Sequence, residues 1–316
     1  MKPVFPRFEP LQLSHEALVR RITRGLPPYC DFLFSNLYAW NTTGATKLSV
    51  LHGNLVIQMK DYECDELFLT LIGTRRVMRT IDQVLSFAVA EGLPLELRLV
   101  PDVTVRAAAG LIRERDVQAD PSGFDYVYDT TELASLPGRD YEDVRNHIHR
   151  FFRASTAELR QVNLMERDTQ ALLLSLFDRW VDQKGVESER PAQNERAALE
   201  RYFALASDPR HVGLVLLDGS GQARAFGIIE LLGNGLADGH FAKADRSVPG
   251  CADVLRQQIG AFLQERGVRY LNAEQDLGLP ALRAAKLAWR PCCFLRKFTV
   301  GQWNPPHRSF PPSHLE

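Results

Sequence analysis

An order of predicted elements that occurs twice is the feature of this 316-residue chain that most constrains its fold. Each half shows a helical start, a meander of three strands, and then helix, strand, helix and strand. In the first half these elements are predicted at 16–24, 47–51, 55–60, 66–71, 76–91, 95–100, 103–113 and 126–128. In the second half they are predicted at 145–158, 169–183, 194–206, 212–217, 223–232, 235–242, 252–266, 270–272, 280–286 and 294–300.

A meander followed by helix–strand pairs favours a mixed sheet that is covered by helices. The apolar run Val212–Leu217 illustrates the patterns, because it ends at Asp218-Gly219, a pair that favours a hairpin turn. Two tandem copies of such a unit match the length of the chain. We therefore predict an α/β (α+β) protein with an N-terminal domain at 1–135, a C-terminal domain at 136–302 and a loosely held, proline-rich tail at 303–316.

Composition argues against several classes of protein. The net charge of −1 and the pI near 6.7 give no bulk attraction to nucleic acid or anionic lipid, so such a contact needs a local patch. The five cysteines are odd in number and lack CxxC spacing, which predicts neither a disulfide framework nor a metal site. No segment approaches the ~18 apolar residues of a membrane span. We expect a soluble, cytoplasmic protein.

Four ordered sequence blocks resemble a known family. They are DFLFSNLYAW (31–40), YVYDTTELASLPGRDYEDVRNHIHRF (126–151), GHFAKAD (239–245) and NAEQDLGLPALRAAKLAWRP (272–291). The element order resembles the GNAT acyltransferase superfamily. The blocks resemble a bacterial family related to the C-terminal catalytic domain of phosphatidylglycerol lysyltransferases. This resemblance implies two GNAT-like acyltransferase domains, with relatives that move an aminoacyl group from aminoacyl-tRNA to a lipid or peptidoglycan acceptor.

Two departures from the family pattern bear on the partners. Relatives have a basic run before the Arg145-Asn146 pair, whereas this chain has Asp140, Glu142 and Asp143 there. Acidic side chains repel a phosphate backbone, so this loop is a poor contact for tRNA. The membrane-spanning half of the lysyltransferases has no counterpart in this sequence. We expect a small-molecule or peptide acceptor, or a lipid headgroup that is reached at the surface.

Acyl transfer needs a proton acceptor, and the second half offers two candidates. Alternation along the strand at 235–242 places Asp238 and His240 on one face, and a histidine can accept a proton near neutral pH. Glu230, on the neighbouring strand, is either a second base or a group that orients His240. A histidine bonded within the sheet and a glutamate at a solvent-facing edge are the structural alternatives.

The GNAT resemblance places the carrier's phosphates at the start of the helix that follows this strand. Gly250 and Ala252 form a G-x-A arrangement there, but the full Gln/Arg-x-x-Gly-x-Gly/Ala signature is absent. A coenzyme A cradle and an ordinary strand-to-helix loop both fit. The donor therefore stays open between acyl-CoA and aminoacyl-tRNA.

Polar residues at the exit of the strand at 270–272 lie where open α/β sheets bind ligands. Carboxylates there suit an ammonium group and basic residues suit a phosphate or carboxylate, although a capped turn is the alternative. The linker helix adds side chains that either line a cleft or tie the helix to the linker. The predicted substrate-binding residues are Arg145, Asn146, His147, Arg150, Lys243, Asn272, Glu274, Asp276, Arg283 and Lys286.

We predict a soluble acyltransferase that transfers an aminoacyl group to an amine or hydroxyl, with its reacting centre in the second half. The alternatives are an acetyl-CoA- or acyl-CoA-dependent N-acyltransferase and a non-catalytic binding protein on the same fold. A run without acidic residues from 277 to 315 is either a contact for tRNA or a solvated face. Its basic residues are Arg283, Lys286, Arg290, Arg296, Lys297 and Arg308.

Overall fold

A computed structural model of the protein describes residues 3–61, 66–108, 110–186 and 189–302. The predicted tail at 303–316 lies outside these residues. The helices are α1 (Glu16–Thr23), α2 (Phe34–Ala39), α3 (Val77–Glu91), α4 (Asp102–Arg106), α5 (Leu111–Glu114), α6 (Thr130–Ser135), α7 (Glu142–Ala154), α8 (Arg167–Lys184), α9 (Arg190–Tyr202), α10 (Cys251–Glu265) and α11 (Pro280–Leu287). The strands are β1 (Glu9–Pro10), β2 (Lys47–Leu51), β3 (Asn54–Lys60), β4 (Leu67–Ile72), β5 (Glu96–Pro101), β6 (Arg115–Ala119), β7 (Asp125–Asp129), β8 (Ala157–Val162), β9 (His211–Asp218), β10 (Ala223–Gly233), β11 (Leu236–Ala244), β12 (Tyr270–Asn272), β13 (Cys293–Leu295) and β14 (Lys297–Gln302).

Two sheets, each with seven strands within the described ranges, organise the chain. The first has the order β1-β2-β3-β4-β5-β14-β6 and the second the order β13-β7-β12-β11-β10-β9-β8. Each contains an antiparallel meander and one parallel pair, β4 with β5 or β11 with β12, which α3 or α10 connects. The predicted architecture, two mixed and mostly antiparallel sheets flanked by helices, is confirmed.

The two halves exchange one strand. β7, which was predicted to end the first half, pairs with β12 and β13 in the second sheet. β14, near the end of the chain, lies between β5 and β6 in the first sheet. The single strand predicted at 294–300 is therefore two strands in different sheets, because the chain changes sheet at Arg296. The division at 135/136 stays a prediction, but hydrogen-bonded strands cross it in both directions.

Two further predictions were wrong at the sheet edges. The helix predicted at 103–113 is split into α4 and α5, since Gly110 adopts a φ of +86° before α5, and β6 follows it. The helix predicted at 145–158 ends at Ala154, and β8 begins at Ala157. Both missed strands are edge strands with mostly exposed polar residues, and such strands lack the apolar alternation that identifies a buried one.

A shared hydrophobic core joins the two halves. One cluster of buried side chains contains Leu55 and Ile57 of the first sheet together with Phe226 and Ile228 of the second, and α2, α8 and α9 contribute to it. Separate clusters lie under α3 and under α6, α7 and α10. We call the boundary between the two sheets the seam. Within the described residues, no helix is both long and apolar enough to cross a membrane.

Candidate functional site

A row of polar residues crosses the second sheet on the side that faces the seam. Glu230 of β10 lies opposite His211 of β9 and Asp238 of β11, and Asp238 lies opposite Asn272 of β12. Residues directly opposite each other in a sheet point to the same face. His240 joins this row through a β-bulge, since Ile228 pairs with Phe241 and the next residue, Ile229, pairs with Gly239.

Five side chains form what we call the histidine cluster: Asn36, Glu230, Asp238, His240 and Glu274. The His240 ring is fully buried, and its Nε2 atom lies 3.3 Å from Glu230 Oε2. Its Nδ1 atom lies 2.9 Å from Asn36 Oδ1, 3.1 Å from Asp238 Oδ2 and 3.4 Å from Glu274 Oε1. The prediction that His240 and Glu230 lie together is therefore correct in geometry.

Glu230 is held as a carboxylate by residues of the first half. Arg20 Nη2 donates to Glu230 Oε1 over 2.7 Å, and Ser35 Oγ donates to Glu230 Oε2 over 2.5 Å. Burial alone would raise the pKa of Glu230, but the hydrogen bonds from His240 and Ser35 and the charge on His240 outweigh it and lower the pKa. Glu230 is thus a buried anchor between the halves and is not the edge residue of the alternative interpretation.

The protonation of His240 bears on its predicted role as a base. Burial alone would lower its pKa, but the negative charge of Asp238, together with Glu230 and Glu274, raises the pKa of His240 to about 10. In this environment both ring nitrogens carry a proton at neutral pH. His240 therefore has no free nitrogen with which to accept another proton. Catalysis by His240 and Glu230 stays a prediction, and the geometry favours His240 as an acid or a charged positioning group.

A second buried group, the lysine cluster, consists of Cys30, Asp31, Asp125 and Lys297. The Lys297 ammonium contacts the Asp31 carboxylate and lies 2.5 Å from Asp125 Oδ1 and 3.4 Å from Cys30 Sγ. The other Asp125 oxygen accepts the Cys30 N–H over 2.9 Å. Asp125 begins β7 and Lys297 begins β14. This ion pair therefore joins the first residues of the two strands that the halves exchange.

A cavity of about 190 Å³, the seam pocket, opens beside the lysine cluster. Asp31 and Gln275 line it on the side of that cluster, and Phe68 and Leu99 of the first half and Leu277 of the second line other parts. Gln275 Nε2 donates to both Asp31 oxygens, over 2.7 and 2.8 Å. Burial raises the pKa of Asp31, although the Lys297 charge opposes this shift. Asp31 is therefore a carboxylate of raised basicity that lines a cavity.

Asn36 closes the gap between β11 and β12. These strands pair only over 236–238 and 270–272, whereas β11 continues to Ala244, so they separate beyond Asp238 and Asn272. Asn36 Nδ2 donates to Glu274 Oε1 over 2.8 Å, while Asn36 Oδ1 faces His240. Helix α2 of the first half thus fills the opening in which the GNAT resemblance predicts an acyl carrier.

The residues predicted on the linker helix lie away from the seam. Arg145 donates to the carbonyl oxygens of Leu136 and Gly138 over 2.6 Å each, which ties α7 to the linker as the structural alternative expected. Asn146, His147 and Arg150 are exposed, and His147 Nδ1 lies 3.1 Å from Asp253. Substrate binding by these four residues stays a prediction, and the structure does not bring them to the seam pocket.

The predicted carrier loop is packed against α7. Gly250 has a φ of +82°, and a Cβ atom there would lie 2.4 Å from the His147 carbonyl oxygen. Ala252 is exposed beside it. Lys243 pairs with Glu195 over 2.7 Å and lies 4.0 Å from the centre of the Trp180 ring. These contacts give Gly250 and Lys243 packing roles, and their predicted ligand roles stay untested.

The block at 272–286 is divided between the clusters and a capped turn. Asn272 Nδ2 donates to Asp125 and to the Pro28 carbonyl, and Glu274 belongs to the histidine cluster. Asp276 accepts from Arg283 Nε and from Tyr126 Oη, over 2.6 Å each. Lys286 donates to the Ala273 and Glu274 carbonyl oxygens, which fixes the chain where β12 ends.

Sequence reasoning missed five residues that complete the site, and four of them come from the first half. Arg20, Ser35 and Asn36 reach the histidine cluster, and Asp31 and Lys297 build the lysine cluster. One signal was available, because Asp31, Ser35 and Asn36 interrupt the otherwise apolar block DFLFSNLYAW. Lys297 had been grouped with a basic surface, yet it is fully buried.

Solved structures share this architecture. A conserved protein of unknown function from Bacteroides thetaiotaomicron VPI-5482 is 24% identical, with a TM-score of 0.80 over 94% of this chain and 99% of that one. L-PGS from Bacillus licheniformis is 15% identical, with a TM-score of 0.61 over 94% of this chain and 93% of that one. At these identities the similarity establishes the fold. No curated protein matches the sequence. The family model described as phosphatidylglycerol lysyltransferase, C-terminal, matches residues 24–301, and the chain therefore belongs to that family.

Proposed function

We propose that the protein is an acyltransferase that moves an aminoacyl group from aminoacyl-tRNA to an amine or hydroxyl, and that it reacts in the seam pocket. Membership of the lysyltransferase family supports the class of reaction. The observation that carries the location is the 190 Å³ pocket lined by Asp31, whose carboxylate is tied to the buried ammonium of Lys297. Both halves of the chain contribute to this pocket.

Asp31 is our candidate for the general base. A base works best when its pKa lies near the operating pH, and burial raises the pKa of Asp31 in that direction. Gln275 orients the carboxylate through two hydrogen bonds, and Lys297 holds it from behind. An acceptor amine or hydroxyl that entered the pocket would lose its proton to Asp31 as it attacked the aminoacyl ester. The new amide or ester bond forms as the bond from the carbonyl carbon to the tRNA ribose oxygen breaks, and Asp31 returns the proton to that leaving oxygen. We therefore assign Gln275 and Lys297 positioning roles.

Two observations count against acyl-CoA as the donor. Asn36 occupies the gap between β11 and β12, so an acyl chain would have to displace a residue that bonds to both sides. The first turn of α10 carries an acidic residue, Asp253. Carboxylates at a helix start repel the phosphates that a carrier would place there. Aminoacyl-tRNA is the donor that this geometry favours.

A transfer assay with the purified 316-residue protein tests the proposal. The donors are tRNAs charged with labelled amino acids, and the acceptors are phosphatidylglycerol vesicles, cell-wall peptides and small amines. We expect Asp31→Asn to lower the transfer rate about 100-fold or more, the usual contribution of a general base. Glu158→Gln changes an exposed residue of edge strand β8 and is the matched control.

Three outcomes would contradict the proposal. Full activity of the Asp31→Asn variant would show that Asp31 is not the general base of the seam pocket. Saturable transfer from acyl-CoA, with none from charged tRNA, would establish the N-acyltransferase alternative. Failure of every donor, together with tight binding of one acceptor, would indicate the non-catalytic binding protein.

A further inference from the structure

The two buried clusters differ in how their carboxylates are satisfied. In the lysine cluster, Asp125 receives the Cys30 N–H, the Asn272 amide and the Lys297 ammonium. In the histidine cluster, Asp238 is fully buried, and neither of its oxygens receives a hydrogen bond from any residue within the described ranges. A buried carboxylate without a donor costs several kcal/mol. Burial raises the pKa of Asp238, so either a proton shared with Glu274 or a bound cation would offset this cost.

His240 cannot supply that partner to every acceptor around it. Its Nδ1 atom carries at most one hydrogen, yet three oxygen atoms surround it at 2.9, 3.1 and 3.4 Å. The hydrogen-bond geometry is met only toward Asn36 Oδ1, the nearest of the three. Asp238 and Glu274 then face the same nitrogen without a proton between them. One proton is too few for this group of atoms.

The spacing of these atoms is that of metal ligands. One ligand atom each from Asp238, His240 and Glu274 lies within 4.8 Å of the other two. Around an ion bound at about 2.0–2.2 Å from each ligand, neighbouring ligand atoms are about 2.8–3.6 Å apart across octahedral and tetrahedral geometries. The distances from His240 Nδ1 to Asp238 and Glu274, 3.1 and 3.4 Å, fall in this range. An ion in this position would contact both carboxylates.

We propose that Asp238, His240 and Glu274, with the Asn36 amide oxygen, bind a divalent transition-metal ion at the seam. One imidazole nitrogen and three oxygens suit Zn²⁺ or Mn²⁺, whereas Mg²⁺ and Ca²⁺ prefer oxygen ligands alone. The two positive charges balance Asp238 and Glu274, while Glu230 keeps its own partner, Arg20. The ion would displace the proton from His240 Nδ1. The Nε2 hydrogen would then point to Glu230 at 3.3 Å, the carboxylate–histidine–metal arrangement that fixes a ligating ring.

The lysine cluster shows what a cation does in such a group. Ligand atoms of Cys30, Asp31 and Asp125 are gathered as closely as those of the histidine cluster, but the Lys297 ammonium lies among them. The chain thus provides a permanent cation at one end of the seam. At the other end, the side chain of Glu274 is 20% exposed and offers a route for an exchangeable one. The bound ion would join Asn36 of the first half to β11 and β12 of the second.

Metal binding by the intact chain tests this site. The protein is dialysed against a chelator, and Zn²⁺ and Mn²⁺ are titrated separately by calorimetry, with metal content measured by mass spectrometry. We expect about one ion per chain and a higher melting temperature with metal. His240→Gln and Glu274→Gln should each weaken binding at least about 100-fold, because each removes a direct ligand. Co²⁺ in place of Zn²⁺ gives a visible spectrum that both variants should alter.

Two control variants separate this site from other metal binding. Cys30→Ala removes a ligand of the lysine cluster and should retain wild-type affinity, as should the surface variant Glu158→Gln. If His240→Gln does not fold, the metal affinity of Glu274→Gln decides the test. Glu274 is partly exposed, so we expect that variant to fold. The proposal is overturned if the wild type binds neither ion more tightly than Glu274→Gln does. It is also overturned if Cys30→Ala, and not Glu274→Gln, loses the metal.

Discussion

The lysine cluster and the histidine cluster lie at the same seam, and they balance buried negative charge in different ways. Asp31 and Asp125 are held by Lys297, which the chain delivers at the start of an exchanged strand. Asp238 and Glu274 share one imidazole, which also serves Glu230. The lysine cluster therefore contains its own buried ion pairs, whereas the histidine cluster depends on a proton or a metal ion from solution.

This difference has a consequence for stability. Breaking a hydrogen-bonded buried ion pair leaves an uncompensated charge and destabilises strongly, whereas removing a buried carboxylate that receives no hydrogen bond also removes its desolvation cost. Substitutions of the same chemical type should therefore cost less in the histidine cluster than in the lysine cluster.

The largest effect is expected for Lys297→Met. It leaves Asp31 and Asp125 buried side by side without their cation, which should lower the free energy of unfolding by about 3–5 kcal/mol. Urea denaturation at pH 7 measures it. The double variant Lys297→Met, Asp125→Asn should recover a large part of the loss, since one unpaired charge is gone. A loss of unfolding free energy no greater than that of Lys184→Met, which changes an exposed lysine, would show that the Lys297 ion pairs do not hold the sheets together.

The next effect compares the same substitution in both clusters, in protein treated with a chelator. Asp125→Asn should cost about 2–3 kcal/mol because it breaks a buried charged hydrogen bond to Lys297. Asp238→Asn should cost less, about 1 kcal/mol or under, since His240 Nδ1 lies 3.1 Å away but gives this carboxylate no hydrogen bond. Equal losses in urea denaturation would mean that Asp238 has a partner as good as that of Asp125.

The second sheet could be predicted well from the sequence because its strands are buried. β9, β10 and β11 were predicted within a few residues of their observed bounds, and Glu230 and His240 were placed on neighbouring strands. Apolar alternation and the glycine at the hairpin carry this information locally. The edge strands β6 and β8 were missed because most of their residues are polar and none is fully buried, so little apolar alternation marks them.

The exchange of strands and the lysine cluster could not be predicted, because both depend on long-range pairing. Nothing near Lys297 in the sequence indicates that its ammonium lies beside Asp125, 172 residues away. The run at 294–300 reads as one strand, since the change of sheet at Arg296 interrupts no local pattern. Half of the site is built by residues of the first half that only the fold brings to His240.

A smaller effect is expected at the link between the first half and the histidine cluster. Arg20→Met removes the Arg20 hydrogen bond to Glu230, but Ser35 and His240 remain as its donors. Because Arg20 is partly exposed and two donors remain, we expect a loss of about 1–2 kcal/mol in urea denaturation. Arg21→Met, at the exposed neighbouring position, is the control. A loss as large as that of Lys297→Met would show that the ion pair at Glu230 stabilises the fold as much as the Lys297 ion pairs do.

The smallest effect distinguishes Lys297 from a second buried lysine, Lys286, whose ammonium is bound by carbonyl oxygens and not by carboxylates. Burial, which the negative charge of Glu274 only partly offsets, lowers the pKa of Lys286 from 10.5 to about 8. Between these two pH values the unfolded chain holds the proton and the folded chain does not. Stability should therefore rise with pH across this window, and the gain is lost as the pH falls through 8.

The wild type should thus gain about 1 kcal/mol per pH unit between pH 8 and 9.5 relative to Lys286→Met, which has no proton to lose there. Urea denaturation at pH 7, 8, 9 and 9.5 measures the difference, and Lys184→Met should run parallel to the wild type. A difference that falls as the pH rises would mean that Lys286 stays charged in the folded protein. Carbonyl oxygens would then stabilise a buried ammonium as well as the carboxylates around Lys297 do, and the contrast between the two lysines would disappear.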